Sequence, residues 1–206
     1  MAERGKAACF LAALVLLLLV GRVAAAADPA GEVVALAGEC TVESGGPKRP
    51  LKRGDAVQVG DTIEVPAGAK LKLRMADGSV ISAAAETRLT IEAYADGAER
   101  DARLTLGAGL LRAAVPPVAK PSRFEVRTAT GVAAVRSTDW FVEMQPAAMR
   151  VGVLVGTVTL SGSAAGKSVA VGEHRGVRLE PGHDPPAPRY WSSEEFAAVI
   201  DRTRVE

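Results

Sequence analysis

Lys70-Leu71-Lys72-Leu73-Arg74-Met75-Ala76-Asp77-Gly78-Ser79-Val80-Ile81-Ser82-Ala83 is the stretch that decides the fold class. Leu71, Leu73 and Met75 alternate with Lys70, Lys72 and Arg74, so an extended chain here has one apolar and one cationic face, the period of two that a half-buried strand demands. Asp77-Gly78 suits a two-residue type I′ turn, since aspartate and glycine tolerate positive φ, and Val80 to Ala83 resumes the extended run. The spacing predicts a hairpin. A strict two-residue loop pairs Met75 with Val80 but sets Ile81 opposite Arg74, which calls for a bulge or for a cover over the outer face.

The same texture extends in both directions. Short β-branched and aliphatic runs broken by glycine occupy residues 33–36, 40–43 and 62–65 upstream. Downstream they occupy 89–94, 103–106, 110–114, 124–128, 132–135, 139–144, 150–155, 157–161, 168–171 and 177–179. Helical periodicity is absent from 31 to 179, so the inventory is all-β. Gly54-Asp55 and Gly60-Asp61 read as turns in which glycine takes the unusual backbone angle and aspartate caps nearby amides; two copies are too few for a solenoid. Gly156 marks either a tight bend or a bulge within one long strand.

The two ends differ from this middle. Arg4 and Lys6, an apolar run over 7–20, and four alanines before Asp28 have the order of a secretory signal peptide. Ala25 and Ala27 satisfy the small-residue rule, which places cleavage between Ala27 and Asp28. A membrane anchor needs about 17–25 apolar residues, and Gly21 and Arg22 end the run early. Cys9 leaves with the peptide. Cys40 then has no partner for an internal disulfide and reads as a small buried hydrophobe. At the other end Pro181, Pro185, Pro186 and Pro188 make 181–191 a stiff linker. Ser192 and Glu195 have capping-box spacing, Trp191 and Phe196 the positions of a hydrophobic staple, so a helix is predicted within 192–204, starting at Ser193. Phe196, Val199 and Ile200 form its apolar stripe and Trp191 its docking anchor.

Catalytic signatures are missing. His174 and His183 have no ligand at metal spacing, no serine sits in a nucleophile elbow, and Gly107-Ala108-Gly109 lies between two predicted strands instead of opening a helix. No metal, cofactor or enzymatic activity is expected. Asp55, Asp61 and Asp139 would support a carboxylate-based hydrolase only if they converged with another acid in a pocket. Removing Arg4, Lys6, Arg22 and Glu3 from 25 basic and 24 acidic residues leaves a near-neutral chain, which disfavours nucleic acid as a partner. A glycan or peptidoglycan-binding module would need an aromatic platform, for which Tyr94, Trp140, Tyr190 and Trp191 are the material.

One constellation stands apart: an almost wholly apolar run over 131–135, then Arg136-Ser137-Thr138-Asp139-Trp140-Phe141. On a structural reading Arg136 is partly buried and its guanidinium bonds turn carbonyls or Asp139. On a functional reading Arg136, Ser137, Thr138, Asp139 and Trp140 form a binding surface, with Trp140 the hot-spot type of residue.

Leu51-Lys52-Arg53-Gly54-Asp55, Val59-Gly60-Asp61-Thr62-Ile63 and Leu71-Lys72-Leu73 with Asp77-Gly78-Ser79, taken in order, resemble the FecR domain. Leu106-Gly107-Ala108-Gly109-Leu110-Leu111 looks like that family's glycine-bearing hairpin, 131–141 like its arginine-glycine-threonine segment, and Val153-Leu154-Val155-Gly156-Thr157-Val158 like its closing strand pair. The resemblance implies a single β-sandwich or β-roll-like domain over about 31–180, periplasmic or secreted. Such domains are best known as the sensing part of iron-dicitrate-type regulators of an extracytoplasmic sigma factor. Those regulators place an anti-sigma region and a membrane helix before the domain, where this chain has the signal-like segment; Ser137 also stands in place of the motif glycine. The expectation is a stand-alone exported, non-enzymatic signalling or scaffold module whose partner is an envelope protein, docked on a sheet edge or on the Arg136 to Phe141 surface.

Overall fold

The computed structural model describes residues 29–163 and 166–205. The predicted signal peptide and its cleavage site at Ala27 and Asp28 lie outside the described residues. The strands are β1 (Gly31–Ala37), β2 (Thr41–Glu43), β3 (Arg49–Pro50), β4 (Ala56–Val57), β5 (Thr62–Val65), β6 (Lys70–Met75), β7 (Val80–Ala83), β8 (Thr87–Asp96) and β9 (Arg100–Val115). They continue with β10 (Ser122–Arg127), β11 (Gly131–Val135), β12 (Thr138–Gln145), β13 (Ala148–Val155), β14 (Val158–Gly162), β15 (Ser168–Val171), β16 (Arg175–Leu179) and β17 (Arg189–Tyr190). Among the described residues there is one helix, α1, which spans Ser193–Thr203.

Two layers share one strand. In sheet A, β1 pairs with β4 and β6, and the ladder runs on through β7, the second half of β9, β12, β13, β16 and β17. In sheet B the order is β3, β2, β5, β8, the first half of β9, β10, β11, β14 and β15. Every pairing is antiparallel except β9 with β10. Leu71, Leu73, Met75 and Ile81 of sheet A and Leu89, Leu104, Leu106 and Phe124 of sheet B meet in one apolar core. The period-two patterning therefore points both inner faces at each other, and each such side chain stabilises the fold by roughly 1.5–3 kcal/mol.

The opening hairpin corrects its prediction in one respect. Met75 N–H donates to Ser79 O at 2.8 Å, and the register sets Leu73 opposite Ile81 and Arg74 opposite Val80. The loop is thus the three residues Ala76-Asp77-Gly78, with Gly78 left-handed at φ +82°. One added residue shifts Ile81 onto the core face, and the mismatch of the two-residue loop disappears. The outer face is covered as well: Lys70 Nζ donates to Asp201 O at 2.9 Å and Lys72 Nζ to Val205 O at 2.8 Å.

Gly107-Ala108-Gly109 is not a hairpin between two strands but the corner inside β9. The strand pairs with β8 up to Ala108 in sheet B and with β12 from Gly109 in sheet A. Gly109 has φ +85°, and a Cβ there would strike the backbone of Glu86 and Thr87, so only glycine turns this corner. Gly156, left-handed and lying between β13 and β14, is a tight bend and not a bulge within a strand.

The segment after β16 folds back over the outer face of sheet A. Helix α1 begins with Ser192 and Glu195 in a full capping box, and Trp191, Phe196 and Val199 join Phe141, Leu110 and Ala84 in a second apolar cluster. Ile200 is only half-buried, and Thr203 completes the inner stripe. Gly152 and Gly176 face each other across β13 and β16, and the ring of Trp191 lies against the dimple they leave. The outermost strands β3, β4 and β17 are two residues long and β15 four, with Pro50 in β3, and beyond them the later residues of β1 and Val177–Leu179 of β16 pair within the sheet on one side only.

Candidate functional site

The chain changes sheet repeatedly at one end of the sandwich. Arg136-Ser137 joins β11 to β12, Gly156-Thr157 joins β13 to β14, and residues 116–121 join β9 to β10. The Ala76-Asp77-Gly78 loop reaches the same place, through a single buried side chain.

That side chain is Arg100, the first residue of β9. Its alternation with Ala102, Leu104 and Leu106 puts it on the core face, and both it and Asp77 have no solvent-exposed side-chain surface. Arg100 Nε donates to Ser122 Oγ at 2.7 Å, Nη1 to Pro116 O at 3.0 Å and to Asp77 Oδ2 at 3.2 Å, and Nη2 to Arg136 O. Asp77 also accepts from Ser79 N at 2.8 Å, from Ser79 Oγ at 2.7 Å and from the Tyr94 hydroxyl. Burial, then the hydrogen bond to Asp77, push the Tyr94 phenol far above its ordinary range, so it stays a donor. A buried charge persists only when paired and hydrogen-bonded, and here the pairing ties six chain segments together.

The five residues of the predicted surface are divided by this arrangement. Arg136 and Ser137 are exposed at the tip of the crossover. The Arg136 guanidinium is exposed and, among the described residues, holds no turn carbonyl; the buried arginine with that role is Arg100, and Arg136 contributes its own carbonyl to it. Thr138 is buried, with Oγ1 donating to Thr157 O at 3.1 Å. Asp139 is half-buried and held by both arms of Arg112, Nε at 2.9 Å and Nη2 at 2.7 Å; this hydrogen bond raises the pKa of Arg112. Trp140 is fully buried in the main core and presents no surface to a partner.

Around the exposed pair lie three hollows, each bordered by Ser137. The largest, about 630 Å3, runs over β10, β11 and β14 past Arg123, Arg136, Thr157 and Thr159. A second, about 530 Å3, follows Pro117, Lys120 and Ser122, and a third, about 410 Å3, is walled by Val80, Pro116 and Val155. Val155 is 58% exposed, one of the few large apolar side chains left in solvent. Gly156 has no room for a Cβ against Ser137 O, so the two crossovers are in direct contact.

Sequence reasoning missed Arg100, Arg123 and Val155. Arg100 sits in the charged run Glu99-Arg100-Asp101, which reads as solvated; its in-phase spacing with Ala102 and Leu104 is the signal that identifies it. The turn aspartates lie elsewhere. Asp55 accepts from Lys52 N and Arg49 Nη1, both at 3.0 Å, and the Lys52 amide lowers its pKa; Gly54 beside it has positive φ. Asp61 is buried and accepts from Gln58 N at 2.9 Å and from Ser44 Oγ, with Gly60 also at positive φ. Asp55, Asp61 and Asp139 are thus each held by their own partners and form no common pocket.

Among the described residues no group of three or more His, Cys, Asp or Glu side chains has the arrangement of a metal site. Trp140 and Trp191 are buried, the Tyr94 hydroxyl is bonded inward, and Tyr190 alone of the four candidate platform aromatics is well exposed, at 69%, beneath the guanidinium of Arg175. Among the described residues no helix is long and apolar enough to cross a membrane.

Comparison with known proteins adds a family match for the middle of the chain. Two crystal structures, each described as of a candidate anti-sigma factor from Parabacteroides distasonis ATCC 8503, share the fold with a TM-score of 0.57 at 16% sequence identity. The similarity covers 68% of this chain and 64% and 63% of theirs, so it spans less than two thirds of their length. No curated protein matches the chain. The family model described as FecR protein matches residues 61–159, from β5 into β14, a span that contains β9, the Asp77–Arg100 pair and both exposed crossovers. Residues 61–159 thus carry a FecR-type domain, the family whose resemblance the sequence shows.

Proposed function

We propose that the chain is a non-catalytic protein-binding module of cell-envelope signalling, exported by its first 27 residues, and that its partner docks on the crossover end. The observation that carries this reading is the exposed Arg136–Ser137 tip, fixed from below by Arg100 and surrounded by three hollows. Such a site is preorganised: the backbone that a partner meets is already held by a buried ion pair, so little ordering remains to oppose association. Arg136 offers a planar fork to a carboxylate or a carbonyl, and Val155 with Pro116 offers apolar area beside it. The FecR match over residues 61–159 and the fold shared with the anti-sigma-type structures support a signalling role over a hydrolytic one.

A photo-crosslinking residue at Ser137 or Val155 in intact envelopes tests the site. The expected result is one discrete adduct with a signalling or transport protein, and no such adduct from the same residue placed at the exposed Val59. Equal labelling from all three positions, or none despite efficient activation, overturns it. Mass measurement of the purified chain tests export: a mature N-terminus at Asp28 is expected, and retention of residues 1–27 refutes it.

A further inference from the structure

The outer face of sheet A carries a second apolar cluster that is separate from the main core. Ala84, Leu110 and Phe141 come from the sheet; Trp191, Phe196 and Val199 come from the C-terminal segment. No residue of α1 belongs to the main core, so the sandwich closes without the helix. The segment enters through a receptacle shaped for it. Gly152 and Gly176 pair across two strands, and a Cβ on either would meet the Trp191 ring. Phe141 lies 5.7 Å from Trp191 and 6.1 Å from Phe196, centroid to centroid, completing an aromatic cluster.

The rim of this receptacle is mostly cationic. Lys70 and Lys72 donate to carbonyls at the end of the segment, and the Arg150 guanidinium stacks over Trp191 at 4.7 Å. Glu143, the acid among them, pairs with Arg150 of the rim at 2.9 Å and with Arg202 of the segment itself at 2.7 Å. The first turn of the occupant carries Glu194 and Glu195, and Glu195 comes within 3.9 Å of Arg150. An eleven-residue helix does not persist alone in water, so α1 is helical because it is docked, and it is reached through a proline-interrupted tether. The segment also lies beyond the residues that match the family.

We infer that the outer face of sheet A is a helix-binding groove, filled in cis by residues 189–205, and that a partner's amphipathic helix with a leading tryptophan and an acidic first turn takes the groove in exchange. This is a second surface, independent of the crossover end. The chemistry of the ligand is set by what already fits: an aromatic ring for the glycine dimple, an apolar stripe for Leu110 and Phe141, a first-turn acid for Arg150, and the carbonyls of a helix C-terminus for Lys70 and Lys72. Exchange requires only that the cover open locally while the sandwich stays folded.

A labelled synthetic peptide of residues 189–205 serves as the probe, titrated into the full chain and into Trp191→Ala/Phe196→Ala, which vacates the groove. Binding to the double variant at least about tenfold tighter than to the parent chain is expected, because the parent groove is already occupied. Adding Gly176→Val to the double variant abolishes binding, and exchanging both peptide glutamates for lysine weakens it. Equal binding to parent and vacated chains, or none to a vacated chain whose β-sheet circular dichroism is intact, overturns the inference. Should the double variant not fold, amide hydrogen exchange of the parent decides. Residues 194–203 are expected to exchange at least about a hundredfold faster than β9; exchange of both at one common rate overturns it.

Discussion

The crossover end and the outer face of sheet A are each closed by one large side chain set into a gap between strands, Arg100 in the first and Trp191 in the second. Arg100 fills its gap with directed bonds to Asp77, Pro116, Ser122 and Arg136, so every neighbour has a defined position. Trp191 fills its gap with area over two glycines, and its indole N–H finds no partner among the described residues. A directed joint tolerates no truncation, because the partners that remain are buried and unsatisfied. An area joint loses contact in proportion to what is removed and can reopen. The rigid joint lies under the exposed Arg136–Ser137 tip, while the reopenable one holds the C-terminal cover.

Arg100→Met breaks the contrast most directly. It strands Asp77 without its cation and is expected to cost about 3–5 kcal/mol in urea unfolding; a loss below about 1 kcal/mol would mean that the directed joint does not hold the crossover. Trp191→Ala comes next, at about 3 kcal/mol or less. Its mark is qualitative: loss of helical circular dichroism with the β-sheet signal retained, whereas loss of both together would tie the cover to the core.

Tyr94→Phe sharpens the account of the network. Removing one donor to Asp77 costs about 1 kcal/mol at neutral pH. The raised phenol pKa of Tyr94 contributes stability that is fully present below the ordinary tyrosine value near 10 and is lost above it, where the unfolded chain ionises and the folded one does not. Unfolding free energies measured from about pH 8 to 11 should therefore fall less steeply for the variant than for the parent. Ser192→Ala has the smallest effect. It removes the cap on the Glu195 amide, costs about 0.5–1 kcal/mol, and shows as faster exchange of the first-turn amides of α1 with the main transition almost unmoved.

Several elements were legible because they rest on local chemistry. The alternation over 70–75 fixed which face of β6 is buried, and the Ser192–Glu195 and Trp191–Phe196 spacings placed both the helix and its anchor. Loop length was not legible, because Asp77-Gly78 suits both a two-residue loop and the last two positions of a three-residue one; the choice is made by Ile81 having to face the core. The glycine corner of β9 was read as a hairpin because two aliphatic runs flank it, and only the pairing with β8 on one side and β12 on the other shows a single strand.

The candidate site was legible in place but not in detail. The segment after 131–135 does emerge at the surface, yet its parity is what sorts the residues. Thr138 and Trp140 point inward, Asp139 meets Arg112, and Arg136 with Ser137 form the turn itself. The buried arginine escaped because a charge run is ordinarily solvated, and nothing local says that Asp77, twenty-three positions away, will be waiting for it. Gly152 and Gly176 make a dimple only once β13 and β16 are in register.

Because β9 gives its first half to one sheet and its second half to the other, neither layer can dissolve without stripping partners from the same sixteen residues. The sandwich is therefore a single cooperative unit with no seam along which to divide. Its slow step in folding is expected to be the closure that brings β10 and β12 to either half of that strand, since both arrive from beyond the corner and one of them must join in parallel.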